Sequence, residues 1–217
     1  MSAGALVATT PRSDSFILRI GGRVLSAVVP FPGDDGAVAS CTITETAEGS
    51  PNQMTFTLED AASTLSFDFG EVTELVDRRS GSERLLFGGH LVEIVSRPRG
   101  SNQGRMLTCT ALGYDAWLDW RVITSWSSKT NKGGRVTKIS SDQRMVQQLI
   151  NRFAGFLEAP ASTIAETNTS MDVVNIRKMT LREALQRVAE TAPYDDTENT
   201  RLFYVDNARR LHYYRGS

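Results

Sequence analysis

Apolar and polar residues alternate singly through much of the first 125 positions, the period of a strand with one buried face. Residues 37–45 place Val38, Ser40, Thr42 and Thr44 on one side and Ala39, Cys41 and Ile43 on the other. Residues 53–58 repeat the pattern, with Met54, Phe56 and Leu58 interleaved by Gln53, Thr55 and Thr57, after a loop, AEGSPN, rich in turn formers. Residues 15–25 carry β-branched and apolar side chains around Gly21-Gly22, which predicts a hairpin or a strongly bent strand. Further strands are expected at 72–77, 83–87, 91–96 and 106–112, joined across RRSGS and RPRGSNQGR. Six or seven short strands with a turn signal about every ten residues predict a barrel or sandwich. In residues 113–121, Tyr114, Trp117, Leu118 and Arg121 recur at spacings of three and four and share one face of a short helix.

From residue 126 the period lengthens. Ser140 and Gln143 fit a capping box opening a helix over 141–153, whose Met145, Val146, Leu149, Ile150 and Phe153 form one stripe. Thr180 and Glu183 form a second box ahead of LREALQRVAETA, which puts Leu181, Leu185, Val188 and Ala189 on one side and Pro193 past the end. A short strand is expected at 173–176, and a hairpin of 201–205 and 210–214 around Asp206-Asn207-Ala208-Arg209. SSKTNKGG, residues 127–134, reads as a linker. The fold class is therefore α+β: a flexible N-terminal arm at 1–14, an antiparallel β-barrel domain at 15–125, and a small α+β domain at 126–217 with two helices and a terminal hairpin. The apolar start is too weak for a secretory signal.

Length and charge refine this picture. A chain of 217 residues is one large domain or two small ones, with a sizeable core available. No apolar run approaches the roughly 18 residues of a membrane span. The net charge of −1 hides an asymmetry: residues 1–125 hold 10 Arg and no Lys against 15 acids, net −5, and residues 126–217 hold 14 bases against 10 acids, net +4. Two domains with different neighbours, or chance in two solvated surfaces, would both produce it. Cys41 and Cys109 are too few for a disulfide framework or a tetrathiolate zinc site. Two buried free thiols is the favoured reading, a single bridge the alternative.

Catalytic chemistry finds little footing. His90 and His212 stand far apart, each in a strand pattern, without the spacing of metal ligands or a catalytic setting. KTNKGG reverses the order of a phosphate loop, whose glycines must precede its lysine. The acidic turns at Asp34-Asp35 and at 195–199 read as solvated, and the second lacks the glycine and the glutamate that an EF-hand requires. Lys129 to Lys138 is a short basic stretch poor in aromatics, unlike a nucleic-acid surface. Tyr114, Trp117 and Trp120 could stack on sugars but at helical spacing read as core or interface. No catalytic, cofactor-binding or metal residue is assigned, no cofactor is expected, and the chain reads as a non-enzyme.

Four phrases in order, FGGHLVEI, CTALGYDAWLDWR, TLREALQRVAE and LFYVDNARRLHYY, resemble the N-terminal part of bacteriophage tail-hub or baseplate-hub proteins, over residues 15–214. The resemblance implies a tube-like β-barrel domain followed by a small α+β domain. It further implies a virion structural protein at the tail tip, assembled in the host cytoplasm, whose trimeric ring surrounds a channel used in viral genome ejection. Expected partners are further copies of the chain, the distal tail protein, the tape-measure protein and tail fibres, with DNA passing unbound. Residues 86–121 would then be the exit from the barrel, with Tyr114, Trp117 and Leu118 packing the junction. The chain ends at Ser217, where such proteins go on to a second tube-like domain, so a fragment, a short form or a differently built ring all stay open. On this resemblance the acidic first half would line the channel and the basic second half would face a neighbour. The alternative function is a tail-associated cell-wall hydrolase or glycan-binding module.

Overall fold

The computed structural model describes residues 6–8, 16–26, 37–45, 51–100, 104–132, 135–165, 171–191 and 201–215. The rest of the expected arm, the loops at 30–36 and 46–50, and the acidic turn at 195–199 lie outside the described residues. The chain divides into two compact units, Met1–Ala116 and Trp117–Ser217.

The first unit is one eight-stranded sheet: β1 (Leu6–Ala8), β2 (Phe16–Ile20), β3 (Arg23–Ser26), β4 (Ala37–Thr44), β5 (Gln53–Asp60), β6 (Val72–Asp77), β7 (Arg84–Pro98) and β8 (Arg105–Gly113). Antiparallel pairs run β3-β2-β6-β7-β8-β5-β4, with β1 beside β4. The two ends of this order meet at a single parallel pair, Ser26↔Ala37. Among the described residues one pair is not a ladder: the unit is a curled sheet, and the closed barrel expected from the sequence is not shown. A three-residue 3-10 turn, Tyr114–Ala116, ends it.

Alternation buries one face of each strand, and the core is the set of inward residues: Leu18 and Ile20, Met54, Phe56 and Leu58, Phe87 and Leu91, Leu107, Cys109 and Ala111. The hairpin expected at Gly21-Gly22 is present, and positive φ at both glycines (55° and 83°) gives the twist a two-residue turn needs. The strands expected at 83–87 and 91–96 are instead one strand of 15 residues. Gly88-Gly89 is buried strand. A Cβ at Gly89 would sit 2.1 Å from the Leu112 carbonyl oxygen, so the glycine permits close approach of neighbouring backbone and makes no turn. Bulges between Leu75 and Val76 and between Leu91 and Glu93 let β7 follow the curl.

The second unit mixes short strands with helices: α1 (Trp117–Trp120), β9 (Val122–Ser127), β10 (Lys129–Lys132), β11 (Arg135–Lys138), α2 (Asp142–Phe153), β12 (Asn175–Thr180), α3 (Leu181–Thr191), β13 (Arg201–Val205) and β14 (Leu211–Arg215). Helix α3 touches α1, α2, β9, β12 and β13, and its buried Leu181, Ala184, Leu185 and Val188 are the side chains they share. Strand β14 lies between β13 and residues 158–165, whose backbone bonds Leu211 and Tyr213. Residues 127–132 of the supposed linker are structured, β9 pairing with β12 and β10 with β11, and residues 133–134 lie outside the described residues. Both units together are mostly sheet with a minority of helix, an α+β fold.

Candidate functional site

The caps test local sequence logic first. Around α3 the box closes in both directions, with the Glu183 amide donating to Thr180 Oγ1 (3.2 Å) and the Thr180 amide to Glu183 Oε2 (2.7 Å). Around α2 the expected box does not form. The helix begins one residue later, its cap residue Ser141 makes no side-chain capping bond, and Gln143 donates to the Ile164 carbonyl instead (2.7 Å). The Gln143 amide finds Asp142 Oδ1 at 2.8 Å, and Asp142 is wholly buried.

Both histidines hold up backbone or neighbouring rings. His90, on β7, shares a hydrogen with the Gly70 carbonyl through Nδ1 (2.8 Å) and meets Tyr114 edge to face at 5.2 Å. His212, on β14, bonds Asp206 Oδ2 through Nε2 (2.9 Å) and lies flat on Tyr204, 4.6 Å between centroids and 2° between planes. Among the described residues no three His, Cys, Asp or Glu side chains converge as metal ligands would.

The cysteines are both free and both buried. Cys41 on β4 faces Phe56 on β5, which faces Cys109 on β8, so one strand separates the thiols and no bridge joins them. Burial pushes Cys41 up to about 11 and Cys109 up to about 12, where they are poor nucleophiles at neutral pH.

Of the aromatic set, Tyr114 is buried in the first unit. In the second unit Leu118 is buried, Trp117 packs on Phe156 (4.7 Å) and Trp120 (5.6 Å), and Trp120 is exposed. The Asp119 carboxylate accepts two bonds from Arg182 (2.7 and 3.0 Å), which ties α1 to α3. The basic stretch from Lys129 is the β10–β11 hairpin. Its register opposes Lys129 to Lys138 and Lys132 to Arg135, like charges that cost stability, around a Thr130–Thr137 hydroxyl contact of 2.6 Å. Beside it, a groove of about 340 Å³ is lined by Lys138, Arg144, Gln148 and Asn151 among others, with no histidine or carboxylate in its wall.

Several acids of the first unit are engaged with arginines. Asp60 accepts from Arg105 Nε (2.8 Å) and from the amides of Thr64 and Leu65, fastening the turn after β5. The Arg79 hydrogen bonds hold the Asp77 carboxyl below its usual range, and Arg78 and Arg19 do the same for Glu83. The Glu83 pairs are at the surface and of small energetic worth, whereas Asp60 is buried. The described residues thus offer structural polar clusters and exposed apolar side chains, among them Trp120, Val122, Phe69 and the outer face of β13–β14, and sequence reasoning had not marked the last two. Exposure of a residue within an otherwise buried pattern has no signature in a single sequence.

No family model and no curated protein sequence matches the chain. Its fold does have solved counterparts. The tail protein from Neisseria meningitidis MC58 superposes with a TM-score of 0.56 at 13% identity, over 92% of this chain and 49% of that one. The 43 kDa tail protein of prophage MuSo2 from Shewanella oneidensis gives 0.59 at 14% identity, over 94% of this chain and 53% of that one. The chain spans about half the length of each.

Proposed function

We propose that the chain is a structural subunit of a phage tail, building the hub ring at the distal end of the tail tube. One observation carries this reading: likeness in fold to two tail proteins over 92% and 94% of the chain, both units included. On it, the curled sheet of the first unit is a tube-like barrel whose copies surround the channel for DNA or tape-measure protein, and the second unit is the α+β domain that meets neighbours. The assembly is a trimer at the tail tip, in contact with distal tail protein, tape-measure protein and tail fibres, and is put together in the host cytoplasm. The work is mechanical: the buried polar groups fasten turns and helices, and no reaction is assigned to the chain. Among the described residues no helix is long and apolar enough to cross a membrane.

Light scattering coupled to size exclusion tests the reading on the full chain. A trimer, or a ring of another order, is expected at high concentration, and a monomer throughout overturns it. Gold labelling of the chain in intact tails is expected at the tip, and label along the tube or at the head end would reject the hub position.

A further inference from the structure

Phe69 is the most exposed large hydrophobic side chain among those described, at 72%. It stands on a turn of residues 68–71, closed by the Glu71 amide on the Asp68 carbonyl (3.3 Å) and permitted by Gly70 at φ 87°. Strand β7 fastens that turn. The Gly70 amide donates to Leu91 O (2.7 Å), the Leu91 amide to Glu71 O (2.9 Å), and His90 Nδ1 bonds Gly70 O. A fixed turn therefore holds a phenyl ring in water next to the exposed Asp68, while the Glu71 side chain turns in against Gly21 with its Oε2 buried. Of the three acids in residues 66–74, Glu74 lies 3.9 Å from Arg19, and Asp68 is the exposed one on the turn.

The second unit carries a surface of opposite character. The register Leu202↔Tyr214 and Tyr204↔His212 sets these four side chains on one face of β13–β14, while Val205, Leu211 and Tyr213 are buried. Leu202, Tyr204 and Tyr214 are 45%, 47% and 40% exposed, yet the rings are ordered: Tyr204 stacks on His212 and meets Tyr214 edge to face at 6.0 Å. Arg210 falls on the same face by alternation and is exposed, with the Glu158 carboxylate 3.9 Å away.

We propose that the Phe69 turn of one copy docks on the outer face of the β13–β14 hairpin of another copy, ring on aromatic platform and Asp68 toward Arg210. Aromatic anchors flanked by opposite charges are the residues that dominate protein interfaces. A second copy is the occupant because the two surfaces belong to units of net −5 and +4 and complement each other in both shape class and sign. The two patches differ, so the contact is head to tail and closes into a ring or continues as a filament. The inference rests on the ring-building reading above and names its interface.

The test uses the full chain by light scattering across a concentration series. Phe69→Asp and Tyr214→Asp are each expected to weaken association by about tenfold or more. Arg210→Glu is expected to weaken it, and adding Asp68→Arg to restore it. Independently, a Phe69→Cys, Leu202→Cys chain is expected to form covalent multimers on mild oxidation, the buried native thiols staying unreactive. An oligomer whose concentration dependence ignores Phe69→Asp overturns the interface and leaves the ring reading standing. A chain that is monomeric throughout overturns both. A crosslink formed only within one chain also overturns the interface.

Discussion

The two units solve the same burial problem by opposite means. The first gets its order from pairings between residues far apart in sequence, ladder by ladder, with one apolar face per strand turned inward. The second gets it from two amphipathic helices, one properly capped, against which strands of four to six residues lie. The first therefore depends on core volume and backbone approach, and the second on local signals and the shared neighbour α3.

Phe56→Ala breaks the first unit hardest. Phe56 is fully buried between Cys41 and Cys109, and its loss is expected to cost about 3–5 kcal/mol. Guanidinium unfolding followed by thiol labelling reads that unit directly, since both cysteines belong to it. Leu185→Ala on α3 is expected to cost about 2–5 kcal/mol while leaving the thiols protected. Equal thiol exposure in both variants would mean that the units unfold as one, and the contrast would fail.

Gly89→Ala sharpens the backbone half of the comparison. The added methyl meets the Leu112 carbonyl at 2.1 Å, and overpacking of this kind costs about 1–3 kcal/mol. A thermal melt within experimental error of the unaltered chain would show that β7 can shift to accept it.

In the second unit the caps separate. Thr180→Ala removes a bond that is made and is expected to cost about 1 kcal/mol. Ser140→Ala removes a cap that the helix does not use and is expected to stay within about 0.5 kcal/mol of zero. Equal losses at both sites, by urea midpoint, would refute the assignment of α2.

The smallest effect is in pH. Burial raises both thiols from an ordinary 9.0 to about 11 and about 12. Their contribution is complete below pH 9, where the unfolded thiols are also protonated. It is lost as pH rises through 11 and 12, because only the unfolded chain ionises early. At pH 9 the loss is about 0.4 kcal/mol per thiol. A Cys41→Ala, Cys109→Ala chain with the same alkaline profile would remove the effect.

The contrast explains what a single sequence discloses. Strict alternation marked β4, β5, β6 and β8, and capping plus a periodic stripe marked α2 and α3 almost to the residue, because those signals sit within one element. Pairing does not. Residues 83–87 and 91–96 predict two strands where there is one, because the reason for glycine at 89, the close Leu112 carbonyl, lies 23 positions away. SSKTNKGG looked like a linker because β9 is completed by β12, about 50 positions later, and because cations oppose cations across β10–β11 against ordinary strand preference. Ser140 fitted a capping box, but Gln143 had a better acceptor at Ile164. On the surface, the exposed rings of Phe69, Tyr204 and Tyr214 sit in strand or turn patterns whose period does not tell which face meets water.

Strand β7 leaves one more consequence. Its first half is bonded to β6 and its second half to β8, and both ladders reach Gly89 and His90. It acts as a splint across the sheet: force applied at either end of the strand passes into both ladders through those two residues. Neither half of the sheet can peel away while the other keeps its grip. The slowest-exchanging amides of the unit are therefore expected at this crossing, well away from the sheet's ends.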